Sequence, residues 1–190
     1  MDRKHLNYCF IGMLAVALAA CDSPETPTEQ TTEAVMPITI MAIPPSIKME
    51  HEEIHAALIE ATHAPGEVGV AARELAEVLH PHFVREEEIA LPPLGLLAPL
   101  ASSAPVSDAV RSEALAMTDA LRVELPKMLE EHGRIRAAVE KLHAAARAEQ
   151  AVRQEQLADQ LALHAQTEEE VLYPAAILVG DILRARVQRP

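Results

Sequence analysis

The sequence predicts an all-α fold, an up-down-up-down four-helix bundle built from one helical hairpin repeated. Three observations lead there. The first is composition: 49% of the 190 residues are apolar but only 2% aromatic, with no Trp, two Phe and two Tyr. A core drawn from Ala and Leu, poor in β-branched and aromatic residues, favours helices over a sandwich or barrel. The second is internal repetition. Residues 82–92, HFVREEEIALP, recur as residues 164–174, HAQTEEEVLYP, at an offset of 82, and residues 50–58, EHEEIHAAL, recur as residues 131–139, EHGRIRAAV, at an offset of 81. Near-equal offsets for two separate blocks indicate a duplicated unit. The third is apolar spacing of 3 and 4 along each segment, the seam of a bundle helix. The length suits one domain.

The N-terminus reads as an address. Arg3, Lys4 and His5 precede an apolar run over residues 8–20, too short for a spanning helix of about 20 residues and right for the apolar part of a signal peptide. The run ends in Leu18-Ala19-Ala20-Cys21, which resembles a bacterial lipobox, with residues 1–20 cut away and Cys21 carrying a lipid. Cys9 then leaves with the leader, so the mature chain has no free thiol or disulfide and any metal must be held by N and O ligands. The expected location is exported and lipid-anchored to a bacterial membrane, facing the periplasm or cell exterior. Asp22 after the Cys points to the inner membrane by the sorting rule of enteric bacteria. Residues 21–45 are rich in Pro, Thr and Glu and read as a disordered, lipid-anchored tether, spanning roughly 25–30 Å on average. Residues 46–190 form the expected bundle.

Within that domain the first helix is expected from an N-cap at Ser46 to Thr62, stopped by Ala64-Pro65-Gly66. The second covers residues 67–90 and ends at Pro92-Pro93. A Pro- and Ser-containing link over residues 92–107 leads to a third helix from Ser107 to Ala148, with a kink or break at Pro126. A fourth spans residues 152–173, and residues 175–187 add a short closing helix. The chain carries 16 Lys+Arg against 29 Asp+Glu, a formal net charge of −13, which is the wrong sign for a phosphate-backbone binder and excludes nucleic acid as a partner.

Nine His in so acidic a chain call for an explanation. The third-helix seam is Leu125, Met128, His132, Ile135, Val139 and Leu142. The fourth is Leu157, Leu161, His164, Glu168 and Val171, and the second is Leu75, Leu79, His82, Glu86 and Ile89. The first is Ile47, His51, Ile54 and Leu58, with His55 about 40° off the stripe at 100° per residue. Every helix therefore aims an imidazole inward, and two add a carboxylate one turn on. A lone His-x-x-x-Glu is weak evidence in a chain this acidic, and His63-x-x-x-Glu67 is broken by Pro65-Gly66. Burial carries the argument: an ionised Glu on an apolar seam costs several kcal/mol unless paired or metal-bound. Four His and two Glu on facing helices supply donors for two divalent or trivalent ions, with carboxylates able to bridge them. The alternative is a buried His–Glu hydrogen-bond cluster that only sets register.

These residues resemble the hemerythrin-like, or HHE cation-binding, family, which has His on the first helix, His-x-x-x-Glu on the second, His on the third and His-x-x-x-Glu/Asp on the fourth. The match runs over roughly residues 46–180. It implies that His51, His82, Glu86, His132, His164 and Glu168 ligate a non-haem di-iron centre, with Glu86 and Glu168 bridging and manganese or zinc as other candidate metals. Two features depart from the oxygen-carrying hemerythrins. Arg136 stands where they have a second third-helix His, and their fourth-helix acid is an Asp five residues after its His, whereas Glu168 is four after His164. His51-x-x-x-His55 places a His-x-x-x-His on the first helix instead. The halves are therefore expected to have exchanged roles, with His51, His55 and His82 on one iron, and His132 and His164 on the other beside an open position.

The remaining candidates read more plainly. His63, His80 and His143 are expected outside the site. Glu87 and Glu169 are solvated acids able to accept hydrogen bonds from ligand imidazoles, and Phe83 and Tyr173 are expected to pack. The resemblance implies dioxygen, nitric oxide or peroxide as the small-molecule partner. The expected function is a membrane-tethered ligand-binding protein rather than an enzyme, since no acid–base constellation is visible beyond the ligands. The alternatives are a di-iron enzyme consuming peroxide or nitric oxide, an iron-handling protein, and a metal-free interaction bundle.

Overall fold

The computed structural model describes residues 36–187. The expected leader, Cys21 and the tether up to residue 35 lie outside the described residues. Four long helices dominate: α1 (Pro45–Thr62), α2 (Gly66–Ile89), α4 (Asp108–Ala148) and α5 (Val152–Thr167). They pack α1 on α2, α2 on α4, α4 on α5 and α5 on α1, so each lies between two others. Between α2 and α4 the expected loose link is ordered, as a 3-10 turn (Pro92–Leu96) and a short α3 (Leu97–Ala101) that bury Leu94, Leu96 and Leu100. After α5 an i→i+5 turn (Glu168–Leu172) runs directly into α6 (Tyr173–Val187). Among the described residues there is no strand, only an isolated bridge between Ile38 and Val106, and no helix is long and apolar enough to cross a membrane.

The helix ends follow local chemistry. Pro45, not Ser46, opens α1 as its first residue, with Pro44 at the cap position; the missing Pro N–H is one that a first turn leaves unpaired in any case. Gly66 takes φ 70°, the left-handed conformation that glycine adopts without a Cβ penalty, and the next amide, Glu67 N–H, donates to Glu149 Oε1 at 2.8 Å. Ser107 caps α4, its hydroxyl accepting from Val110 N–H at 3.3 Å. Of the kink or break expected at Pro126, the break is absent, and α4 runs through it. Pro126 and Arg122 are both exposed, so the Arg122 carbonyl that loses its donor faces water rather than the core.

The core has three apolar clusters. One joins α1, α2, α4 and α5 through Ile54, Leu58, Leu75, Leu79, Ile135, Leu142 and Leu161. A second holds Ile89, Leu91, Leu94, Leu121, Met128, Tyr173 and Ala176. A third seals α6 on the first part of α4 and on the link, through Leu96, Leu100, Val110, Ala114, Val179 and Leu183. Gly180 lets α6 approach α4 there, since a Cβ at that position would lie 2.3 Å from Thr118 Oγ1.

Candidate metal centre

Six of the seven expected ligands, all but His55, meet in the interior, each from the seam of one of the four long helices or the turn after α5. His51, His82, Glu86, His132, His164 and Glu168 are 0–3% exposed. They form two overlapping groups, His51, His164, Glu86 and Glu168, and His82, His132, Glu86 and Glu168, in each of which one ligand atom per residue lies within 4.8 Å of the others. Both carboxylates belong to both groups. Glu168 divides its oxygens between them: Oε1 is 2.9 Å from His164 Nε2 and 3.4 Å from His51 Nε2, while Oε2 is 3.3 Å from His132 Nε2. On the facing side, Glu86 Oε1 is 3.3 Å from His82 Nε2.

A ring of acids holds the imidazoles from behind. His51 Nδ1 is 3.3 Å from Glu87, His82 Nδ1 3.0 Å from Glu131, His132 Nδ1 2.8 Å from Glu169 and His164 Nδ1 3.3 Å from Glu50. An ionised carboxylate only accepts, so Nδ1 carries a hydrogen, and in the neutral ring Nε2 keeps its lone pair for the interior. Arg136 binds Glu169 in turn, which gives that residue a positioning task. The ring follows the repeat. The α1–α2 hairpin pairs His51 with its own Glu87, as the α4–α5 hairpin pairs His132 with its own Glu169, while His82 and His164 reach across to the other hairpin.

Electrostatics in the metal-free centre are strained. Burial and the charge of Glu168 raise the pKa of Glu86. Burial opposes the charge of Glu168 too, but the imidazoles of His132, His164 and His51 around it hold it well below the usual carboxylate range. Burial works against an imidazolium at His82, yet Glu86 and Glu131 outweigh it and lift this His to about 9. Burial together with Glu86 and Glu168 pushes the Tyr173 phenol upward, so it stays protonated and donates to Glu86.

The donor set fits metal ions. His51 Nε2, His164 Nε2, Glu86 Oε2 and Glu168 Oε1 are buried without a hydrogen-bond partner, a costly arrangement for four polar atoms side by side. His82 Nε2 and His132 Nε2 lie 2.8 Å apart; a charged His82 donates its Nε2–H to His132, and when both rings are neutral with the hydrogen on Nδ1, two lone pairs face a space that a cation between them would satisfy. Ligand bonds of about 2.0–2.2 Å place neighbouring donors about 2.8–3.6 Å apart around one ion, the range these distances occupy.

Other expectations are corrected. His55 does not join the centre: it is exposed on α1 and its ring stacks on that of His80 at 5.6 Å, because its offset from the stripe carries it past the helix edge. The proposed exchange of roles fails with it, since the groups pair His51 with His164 and His82 with His132. His63 and His80 are exposed and His143 sits near Glu155 and Asp159, all outside the cluster. Phe83 packs, its ring stacked on His51 at 4.2 Å. Tyr173 does more than pack: its hydroxyl contacts Glu86 and lies 3.1 Å from His132 Nε2 and 3.4 Å from His82 Nε2. Sequence reasoning assigned no role to Glu50 or Glu131, although the repeated Glu-His pairs at 50–51 and 131–132 carried the signal. On the outer side of Tyr173 and Glu169 lies a cleft of about 480 Å³, walled by Leu125, Leu129, Pro174 and Ile177. Compared with known proteins, the chain matches no family model, no curated protein and no solved structure.

Proposed function

We propose that this chain is a hemerythrin-like, up-down-up-down bundle that holds a carboxylate-bridged pair of iron ions and binds dioxygen or another small reactive ligand, nitric oxide or peroxide, as an exported, lipid-anchored protein. The observation that carries the reading is the set of four buried N and O atoms without a hydrogen-bond partner, beside two imidazole Nε2 atoms 2.8 Å apart. A di-iron pair, when bound, supplies Lewis acidity and one-electron chemistry toward such ligands. The residues do the rest. His51 with His164, and His82 with His132, present Nε2; Glu86 and Glu168 span both groups; the four outer acids fix ring orientation; and the aliphatic seam keeps bulk water out. The cleft against Tyr173 provides apolar space for a small ligand to approach.

The test is metal analysis of the full chain loaded with ferrous iron, with visible spectra recorded with and without oxygen or nitric oxide. Two ions per chain and ligand-dependent spectra are expected, both lost in Glu86→Ala combined with Glu168→Ala. A chain that binds no metal yet keeps full stability would instead support the hydrogen-bond cluster. Catalytic loss of hydrogen peroxide, rather than stoichiometric binding, would move the reading to an enzyme.

A further inference from the structure

The two groups are built alike by the repeat but finished differently. Leu91 and Tyr173 occupy equivalent positions, each nine residues after its His and followed by Pro. Both follow the same backbone turn, with Leu91 N–H donating to Glu86 O at 3.0 Å and Tyr173 N–H to Glu168 O. Each is an i→i+5 bond, which adds one residue to the turn. In an unbroken α-helix Tyr173 would point about 140° away from Glu168; the extra residue returns it by roughly 100°, onto the side of the centre. At this position the first half carries an alkyl side chain and the second a phenol.

We propose that Tyr173 is a ligand, through its hydroxyl oxygen, of the ion held between His82 and His132, so that the two metal positions are chemically distinct. The inference rests on the metal-pair reading above. Every polar contact of the hydroxyl is with that group: Glu86, His132 Nε2 at 3.1 Å and His82 Nε2 at 3.4 Å. These are the separations of neighbouring donors on one ion, like the 2.8 Å between the two imidazole nitrogens. The His51 and His164 Nε2 atoms, by contrast, have Glu168 Oε1 beside them at 3.4 and 2.9 Å and no phenol. Two imidazoles, two shared carboxylates and a phenolate surround one ion; the other has the same set without the phenolate and keeps an additional open position. On binding, the oxygen–hydrogen bond of Tyr173 breaks, the oxygen–metal bond forms and the proton passes to solvent.

The experiment uses the full chain carrying Tyr8→Phe, which leaves Tyr173 as the sole tyrosine, loaded separately with zinc and with ferric iron. The expected result is a near-ultraviolet difference signal of one phenolate with zinc and a visible phenolate-to-iron charge-transfer band with iron. Adding Tyr173→Phe should abolish both signals while two ions still bind, the second at least tenfold more weakly. Two ions bound to a chain whose tyrosine stays protonated with both metals would overturn the proposal and leave the metal pair standing. Absence of any bound ion would overturn the metal reading itself, and this inference with it.

Discussion

Along the same four seams, two adjoining regions of the bundle are equally buried and differ in what they require. In the aliphatic region, Ile54, Leu58, Leu75, Leu79, Ile135, Leu142 and Leu161 interlock with no polar atom to satisfy. One turn further on, His51, His82, Glu86, His132, His164 and Glu168 fill the same stripe, and four of their atoms lack partners. The first region supplies stability through burial alone. The second leaves buried polar atoms unpaired, a cost that a bound cation would remove. The difference teaches that the bundle's scaffold and its site are energetically separable, although they share helices and periodicity.

That separation can be broken at several points. The largest effect should come from chelation of the loaded protein. At free metal a thousandfold above Kd each ion contributes about 4 kcal/mol, so thermal melting should show a drop larger than any single core truncation produces, while helical circular dichroism at low temperature persists. Leu161→Ala should cost about 2–5 kcal/mol in denaturant unfolding and leave the metal content unchanged. If metal is lost together with Leu161, the two regions are not separable.

The next effect concerns pH. His82 in the metal-free protein is raised from 6.5 to about 9, so its contribution to stability is complete below pH 6.5 and disappears as pH rises through about 9, by about 3 kcal/mol. With ions bound this imidazole is neutral, and the alkaline decline should vanish from melting curves of loaded protein. Smaller again, Glu50→Ala or Glu131→Ala should weaken metal binding about 10- to 100-fold in competition titrations, because the imidazole behind each loses its fixed orientation. His55→Ala, on the exposed face, should change stability by less than about 0.5 kcal/mol and leave metal content and spectra alone.

The six clustered residues were legible because duplication marked them twice and the α-helical period placed them inward. The period failed where the backbone left it. Val171 continues the seam in sequence yet is 54% exposed, and Tyr173, off the seam, points inward. Both follow from the i→i+5 turn at Glu168–Leu172, whose extra residue no hydrophobic pattern announces. At Pro126 the helix does not break, since a proline on the solvent side of a long, well-packed helix leaves only an exposed carbonyl unpaired. His55 showed how narrow the inward stripe is: 40° decided between ligand and surface.

Each metal group takes one imidazole and one carboxylate from α1–α2 and the same from α4–α5, while His82–Glu131 and His164–Glu50 cross between the hairpins. Neither hairpin carries a whole group; each supplies half of both. The arrangement has the logic of a two-fold dimer interface, in which one surface meets its own copy and the operator completes the site, here fused into one chain. Ions bound there would act as a clasp between halves that the aliphatic core already holds together, so that pulling the halves apart would release the metal although releasing the metal need not part the halves.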